Sequence, residues 1–165
     1  MRALNSRALG AERTLSPKIP SCDPRRKRRG QLRSVRATTK RGTTVAKTVL
    51  IVDDSAIVRR TVGSALLSDG FNVCGEANNG QEAVELAEKL SPDLIILDLS
   101  MPVMNGLQAA PVLRKLVPNS PIILYTLHAD KAVEQQLRTT EVDSVLSKRE
   151  PISRLMEEAH ALLGE

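Results

Sequence analysis

The chain contains very few aromatic residues: it has no tryptophan, and Phe71 and Tyr125 are its only phenylalanine and tyrosine. A folded core must therefore be packed from aliphatic side chains. Cysteine is equally scarce, and the isolated Cys22 and Cys74 indicate reduced thiols rather than a disulfide framework. No apolar run approaches the roughly 20 residues that a membrane-spanning helix needs. We therefore expect a soluble protein with a cytoplasmic location.

Charge divides the chain into two unlike parts. Residues 1–46 contain thirteen Lys and Arg against two acidic residues, a net charge of +11, whereas the part from Lys47 onward has a net charge of −6. The overall charge of +5 describes neither part. The first part also contains the basic block RRKRR at 25–29 and few large apolar residues, a composition that favours disorder. We expect a basic extension over 1–46 and one folded domain over 47–165.

Several interpretations of the basic extension stay open. It is either a solvated tail or an arm that binds nucleic acid phosphates or anionic lipid by releasing counterions. An organellar transit peptide is compatible with its Arg-rich and Ser-rich composition. A fourth interpretation is that translation begins near Val45, so that the segment is a start-site artefact. An export signal is disfavoured because no apolar segment follows the paired arginines.

Short aliphatic runs alternate with segments of helical spacing from about residue 46 to residue 164. The predicted strands are 48–52, 93–97, 121–125 and 142–147, with a weaker one at 72–76. Apolar residues between them recur at intervals of three and four, as in Ala83, Leu86, Ala87 and Leu90. Strands joined by helical crossovers are parallel and right-handed. The pattern predicts a doubly wound (βα)5 α/β sandwich of three layers, flavodoxin-like, with sheet order 2-1-3-4-5.

Three local signals concern the helices. Asn79, followed three residues later by Glu82, predicts an N-cap with a capping-box partner. Pro151 predicts the first turn of the last helix. Pro111 falls inside the predicted third helix, where proline removes a backbone hydrogen bond and favours a kink.

Five polar residues lie at the carboxyl ends of the predicted strands, namely Asp53, Asp54, Asp98, Thr126 and Lys148. In an open parallel sheet these ends share one edge, so residues far apart in sequence can meet in one crevice. Three carboxylates, a hydroxyl and an ammonium suit a divalent cation and a phosphoryl group. Each residue alone has a simpler explanation, such as a helix cap or a solvated lysine, but those explanations do not account for all five at one edge.

The residues IVDDS at 51–55 and LDLSMPVMNG at 97–106, followed by Thr126 and Lys148, resemble the receiver domain of bacterial two-component response regulators. The resemblance extends from about Lys47 to the end of the sequence and covers none of the basic extension. It implies a phosphorylation-controlled signalling module rather than an enzyme. Its phosphate would come from a sensor histidine kinase or a phosphotransfer protein.

We expect this module to stand alone, because the sequence ends at Glu165 after the fifth predicted helix. Such a module must act through an unknown output partner. The resemblance implies that the partner binds a face formed by the fourth predicted helix at 129–139, the fifth strand and the fifth helix at 152–163.

The residue chemistry then suggests roles for the acidic residues. Mg2+ prefers oxygen ligands and keeps several waters, so Asp54 and Asp98 are candidate direct ligands and Asp53 would hold a metal-bound water. The resemblance adds the backbone carbonyl of Ser100 as a ligand. Asp98 is the candidate phosphoacceptor, because a carboxylate can form an aspartyl-phosphate.

Phosphate binding and switching involve the remaining residues. Lys148 would bind one phosphate oxygen and pair with Asp98 before phosphorylation, while Thr126 would donate its hydroxyl to another oxygen. Receivers usually carry a switch aromatic three residues before this lysine, but here that residue is Val145, which cannot swing inward as a ring does. Strand alternation aims Tyr125 away from the face of Thr126.

Two rival functions remain at this point. Aspartyl-phosphate phosphohydrolases also use a strand-end aspartate, but they need a second acid two residues later, where this chain has Ser100. The other rival is a nucleic-acid-binding protein that acts through the basic extension and is regulated by the folded domain.

Overall fold

The computed structural model describes residues 46–127 and 142–164, and strands alternate with helices along this part of the chain. The strands are β1 (Thr48–Val52), β2 (Asn72–Ala77), β3 (Leu94–Leu97), β4 (Ile122–Thr126) and β5 (Ser144–Ser147). The helices are α1 (Ala56–Ser68), α2 (Gly80–Leu90), α3 (Gly106–Leu116) and α4 (Ile152–Leu163). The predicted fourth helix at 129–139 lies outside the described residues, so α4 is the fifth helix of the prediction.

The five strands form one parallel sheet in the order β2-β1-β3-β4-β5. The order reverses direction at β1, because the chain adds β2 on one side of β1 and β3 on the other. The predicted flavodoxin-like sheet is therefore confirmed. The carboxyl ends of β1 and β3 lie side by side at this switch point, with Val52 paired to Leu97.

Aliphatic side chains from alternate positions of the strands fill two cores, one on each face of the sheet. Leu50 and Val52 face the core that α2 and α3 cover, whereas Val49 and Ile51 face the core that α1 and α4 cover. Each fully buried Leu or Ile contributes roughly 1.5–3 kcal/mol relative to exposure. Strand β2 is an edge strand and is only half-buried over most of its length, which explains its weak sequence signal.

The strand boundaries differ slightly from the prediction. Strand β3 begins at Leu94 and β5 at Ser144, later than predicted, because Asp93 and Asp143 precede them and use their side chains to bind the start of a neighbouring strand. The carboxylate of Asp143 accepts the N–H of Ile122 at 2.7 Å and pairs with Arg114. These acidic residues close the amino edge of the sheet.

The helix starts follow the prediction in part. Asn79 is the N-cap of α2 and accepts from the Glu82 N–H at 2.9 Å, but the Glu82 carboxylate accepts from Asn78 instead of completing the box at Asn79. A complete capping box occurs at the start of α3, between Asn105 and Gln108. One predicted position shifts as well: Pro151 is the N-cap of α4 rather than part of its first turn.

Helix α3 continues through Pro111 to Leu116. Over residues 46–127 and 142–164, no helix combines the length and the apolar character that a bilayer span requires.

Candidate functional site

Asp53, Asp98 and Lys148 each lie one residue beyond the end of a strand. Their backbone N–H groups donate to the last carbonyl of the adjacent strand, at 3.0 Å for Asp53 on β2, 2.8 Å for Asp98 on β1 and 2.8 Å for Lys148 on β4. The sheet's own hydrogen-bonding pattern therefore fixes the backbone of all three residues. Their side chains meet because the strand ends are neighbours.

Lys148 joins the two buried carboxylates of this edge. Its Nζ lies 2.5 Å from Asp53 Oδ2 and 3.1 Å from Asp98 Oδ2. Asp53 and Asp98 are 3% and 5% exposed, so these pairs are shielded from water. The pair with Asp98 matches the expectation from the sequence, whereas the pair with Asp53 is an additional contact.

Asp54 completes an acidic cluster with these two residues. One carboxylate oxygen from each of Asp53, Asp54 and Asp98 lies within 4.8 Å of the others. Like charges at such distances repel by about 1 kcal/mol per pair in water and by more when partly buried. A single lysine cannot balance three carboxylates, so the donor set fits a divalent cation with oxygen ligands.

These side chains open onto a cleft of about 380 Å³. Its lining consists of Asp54, Ser55, Val58, Asp98, Ser100, Thr126, Leu127 and Lys148. Asp54 and Ser100 are exposed in it, and Thr126 is fully buried at its base. All the predicted site residues except Asp53 and Val145 thus line one cleft. Asp53 is connected to the cleft through its contact with Lys148.

The pKa of Asp53 is raised above its ordinary value of 3.8, and the main cause is burial. The hydrogen bond and charge of Lys148 and the hydrogen bond from the Ser55 N–H act in the opposite direction, while the charge of Asp98 raises the pKa further. Ionisation of Asp53 is therefore less favourable in the folded protein than in water.

Close packing holds the backbone that follows Asp98. The Asp98 Oδ1 atom accepts the N–H of Leu99 at 2.8 Å, and the Gly106 N–H donates to the Leu99 carbonyl at 3.0 Å. A Cβ atom on Gly106 would overlap the carbonyl oxygen of Asp98. Only glycine allows the start of α3 to approach the candidate phosphoacceptor this closely.

The loop between β3 and α3 contains a strained residue. Val103 has a φ of 67° and lies at the centre of a three-residue turn in which the Met104 N–H donates to the Pro102 carbonyl at 2.8 Å. A β-branched residue in the left-handed region is unfavourable, and such turns are strained. Val103 is 84% exposed, so packing of its side chain does not compensate.

The residues predicted to take part in switching lie on different faces of the sheet. Tyr125 packs in the core under α1 and α4, and Val145 packs against the core under α2 and α3. Strand alternation places Thr126 on the opposite face of β4 from Tyr125. Tyr125 therefore lies on the face of the sheet away from Thr126, as strand alternation predicts.

Arg59 is a contact residue that the sequence analysis missed. Its Nη1 donates to the backbone carbonyl of Asp53 at 2.7 Å, and its Nε donates to Glu76 at 3.1 Å. A signal for this contact exists in the sequence, because side chains on a helix lean toward its N-terminus. An arginine in the first turn of α1 therefore leans toward the Asp53-Asp54 turn.

Comparisons with known proteins agree with this geometry. The sequence profile described as "Response regulator receiver domain" matches residues 49–160. The chain is 37% identical to the chemotaxis protein CheY of Thermotoga maritima over 114 residues, which covers 68% of this chain and 94% of that protein. It is 41% identical to protein-glutamate methylesterase/protein-glutamine glutaminase 2 of Photobacterium profundum, covering 70% of this chain but only 30% of that relative.

A solved structure is similar as well. The REC domain of AraT, a response regulator from Geobacillus stearothermophilus, superposes with a TM-score of 0.65 at 32% identity, covering 73% of this chain and 95% of that one. The profile match spans residues 49–160, which is more than half of the chain. This chain belongs to the response regulator receiver domain family.

Proposed function

We propose that this protein is a stand-alone response regulator that accepts a phosphoryl group on Asp98 and then changes its binding to an output partner. The observation that carries the proposal is the convergence of Asp53, Asp54, Asp98 and Lys148 at one edge of the sheet. An acidic cluster with one buried lysine suits a cation and a phosphoryl group better than it suits a structural role, because its charges are not balanced.

Magnesium is the proposed cofactor. Asp54 and Asp98 would be its direct protein ligands, together with the backbone carbonyl of Ser100, and Asp53 would hold a metal-bound water. The fit is supported by the exposure of Asp54 in the cleft and by the spacing of the three carboxylates. When bound, magnesium would neutralise charge on the carboxylates and on the phosphoryl oxygens.

The proposed reaction needs little covalent machinery. An oxygen of the Asp98 carboxylate attacks the phosphorus atom of a phosphohistidine on the donor protein, the O–P bond forms and the P–N bond breaks. The imidazole leaves with the bonding electrons and takes a proton from solvent. Lys148 Nζ, 3.1 Å from Asp98 Oδ2, is placed to bind a phosphoryl oxygen, and Thr126 would donate its hydroxyl to another.

The proposed partners follow from this reaction. A sensor histidine kinase or a phosphotransfer protein would donate the phosphate, which implies a cytoplasmic location. The stand-alone arrangement is supported by CheY of Thermotoga maritima, of which this chain covers 94%. The output partner would bind the face that includes β5 and α4. Because Val145 on β5 has no aromatic ring, a ring swing at this position would not carry the signal.

A phosphohydrolase activity is disfavoured by the residue at position 100. Ser100 lines the cleft two residues beyond Asp98, where those enzymes place a second acid. A serine hydroxyl is a poor general acid at neutral pH. The proposed protein is therefore a phosphoacceptor that at most catalyses its own phosphorylation and dephosphorylation.

The basic extension is proposed to be a separate segment over 1–46, ahead of a receiver domain over 47–165. Its alternative role is binding to nucleic acid phosphates, which its net charge of +11 would suit and which would weaken steeply with salt. Salt-dependent binding to DNA that disappears when residues 1–46 are deleted would support this role, and no binding at low salt would exclude it.

The proposed function is tested by labelling with acetyl phosphate and Mg2+, followed by mass measurement of the intact protein. We expect one phosphate per chain in the wild type and none in Asp98→Asn. Asp93→Asn is the matched control, because Asp93 also pairs with a lysine but lies at the opposite edge of the sheet. Equal labelling of the wild type and Asp98→Asn would show that Asp98 is not the acceptor.

A further inference from the structure

The turn between β1 and α1 carries two residues of the acidic cluster, Asp53 and Asp54. Their backbone carbonyls take no part in the backbone hydrogen bonds of the described sheet and helices. Helix α1 begins at Ala56. The Arg59 N–H of this helix donates to the carbonyl of Ser55, the residue just before the helix, at 3.1 Å. In the described part of the chain, no backbone N–H donates to the carbonyl of Asp53 or of Asp54. These two carbonyls need another donor or water.

The Arg59 side chain supplies that donor. Its Nη1 lies 2.7 Å from the carbonyl oxygen of Asp53 and makes a longer contact of 3.4 Å with that of Asp54. Only 17% of the Arg59 side chain is exposed, so the guanidinium is held against the turn rather than extended into solvent. Because hydrogen bonds from a charged donor are about twice as strong as neutral ones, this contact restrains the turn.

A second contact fixes the guanidinium itself. The Arg59 Nε donates to the Glu76 carboxylate at 3.1 Å, and Glu76 lies on β2 beside Ile51 of β1. One planar group thus connects α1, β2 and the acidic turn. Two arms of a rigid fork define an orientation that a flexible ammonium cannot reproduce.

The carboxylates that this turn presents repel each other. Asp54 lies beside Asp53 in the chain and within the same acidic cluster as Asp98, so without restraint the turn would relax to separate them. A magnesium site requires near-ideal ligand geometry and does not tolerate such relaxation. Holding the backbone is therefore a condition for cation binding.

We infer that Arg59 is a positioning residue for the acidic site, which acts by fixing the backbone of Asp53 and Asp54 through its carbonyl contacts and its pair with Glu76. The inference rests on the proposed function, because it concerns the affinity of the same site for Mg2+. It differs from a general stabilising role in one respect: the loss of Arg59 must weaken cation binding by the folded protein. The effect runs against simple electrostatics, since removing a positive charge should by itself favour cation binding.

The test compares Mg2+ binding by calorimetry in four proteins, namely the wild type, Arg59→Ala, Arg59→Lys and Arg60→Ala. Arg60 is the matched control, because it carries the same charge on the same helix but is exposed and makes no side-chain hydrogen bond or ion pair with another described residue. Changes to outer-shell residues of metal sites lower affinity by about 10–100-fold, so we expect a loss of about tenfold in Arg59→Ala. Arg60→Ala should bind as the wild type does.

Arg59→Lys keeps the charge and loses the fork, so we expect it to lose affinity as well. Should Arg59→Ala fold poorly, Glu76→Gln provides the second variant, with a smaller loss expected because it removes only one restraint on the guanidinium. Equal Mg2+ affinity in Arg59→Ala, Arg59→Lys and Arg60→Ala would overturn the inference while leaving the proposed function intact. Failure of the wild type to bind Mg2+ at all would overturn both.

A second readout works without metal. The Ser55 N–H donates to Asp53 Oδ1 at 2.9 Å within the same turn, so its hydrogen exchange, followed by NMR, reports the order of the turn. We expect faster exchange at Ser55 in Arg59→Ala than in Arg60→Ala. Unchanged exchange in Arg59→Ala would contradict the positioning role even if stability had fallen.

Discussion

A lysine pairs with an aspartate at each edge of the sheet, but the pKa of the aspartate is lowered at one edge and raised at the other. At the amino edge, Asp93 accepts from the backbone N–H and the hydroxyl of Thr48, both at 2.8 Å, and pairs with Lys47 at 3.4 Å. Burial alone would raise the pKa of Asp93, but the hydrogen bonds from Thr48 and the charge of Lys47 together lower it. At the carboxyl edge, burial prevails and the pKa of Asp53 is raised despite its contact with Lys148.

The difference lies in the number of donors for each carboxylate. Asp93 has donors enough to satisfy its charge, and it joins β1 to the start of β3 as a structural clamp. The carboxyl edge instead gathers three carboxylates around one lysine, so negative charge remains in excess. An aspartate near a strand end is thus not a sign of function by itself. The unbalanced charge of the cluster is what distinguishes the site from the clamp.

The largest expected effect is a loss of Mg2+ affinity on removing a carboxylate of the acidic cluster. Asp54→Ala removes an exposed candidate ligand, and we expect the affinity for Mg2+ to fall by at least about 100-fold, the upper end of the loss caused by residues that only support the ligands. Calorimetric titration measures the change. Asp93→Ala should leave the affinity unchanged, and an equal loss in both variants would mean that the two edges do not differ in cation binding.

The next largest effect is a loss of stability on removing the Asp93 carboxylate, which joins β1 to the start of β3. Asp93→Ala leaves the Thr48 N–H without its carboxylate, and we expect the free energy of unfolding to fall by about 1–2 kcal/mol at pH 7. Because the folded-state pKa of Asp93 is lowered, its stabilisation is complete above the ordinary value of 3.8 and is lost as pH falls through the folded pKa. Urea denaturation of both proteins from pH 7 to pH 2 should show the difference shrinking in acid. A difference that does not depend on pH would contradict this account.

The smallest effect has the opposite sign. Asp53→Asn should stabilise the metal-free protein by up to about 1 kcal/mol at pH 7, because the amide oxygen can still accept from Ser55 and a disfavoured charge is removed. A raised folded-state pKa means that wild-type stability decreases as pH rises from 3.8 through that pKa, so the gain should vanish in acid. Denaturation in the presence of a chelator measures it. Destabilisation of the size expected for Asp93→Ala would show that Asp53 is also a structural clamp.

Much of the fold and the convergence of the site could be predicted from sequence because both depend on strand-level patterns. Short aliphatic runs indicate strands buried on both faces, and the polar residue after each run lies at the shared edge. This reasoning placed Asp98 beside Asp54 and Lys148 without any contact information. It also placed Tyr125 on the face away from Thr126, since strand alternation is strict.

The contacts that the sequence did not predict depend on side-chain reach. Lys148 contacts Asp53 as well as Asp98 because a long flexible side chain crosses between two strands, and a strand pattern does not specify which carboxylate it meets. Helix geometry aims Arg59 toward the Asp53 carbonyl, but the pairing that fixes its guanidinium is with Glu76 on β2, and no local pattern specifies that partner. Similarly, the left-handed backbone of Val103 has no signal in its residue type, since valine is disfavoured there.

The most direct test of the central claim is to find where the phosphate resides. Wild-type protein treated with acetyl phosphate and Mg2+ would be digested under acidic conditions that preserve acyl phosphates, and the modified residue identified by tandem mass spectrometry. The account predicts a single modified residue, Asp98, and no modification when a chelator replaces Mg2+. Phosphate on Asp53, Asp54 or a residue outside the acidic cluster would contradict it, as would no phosphate at all.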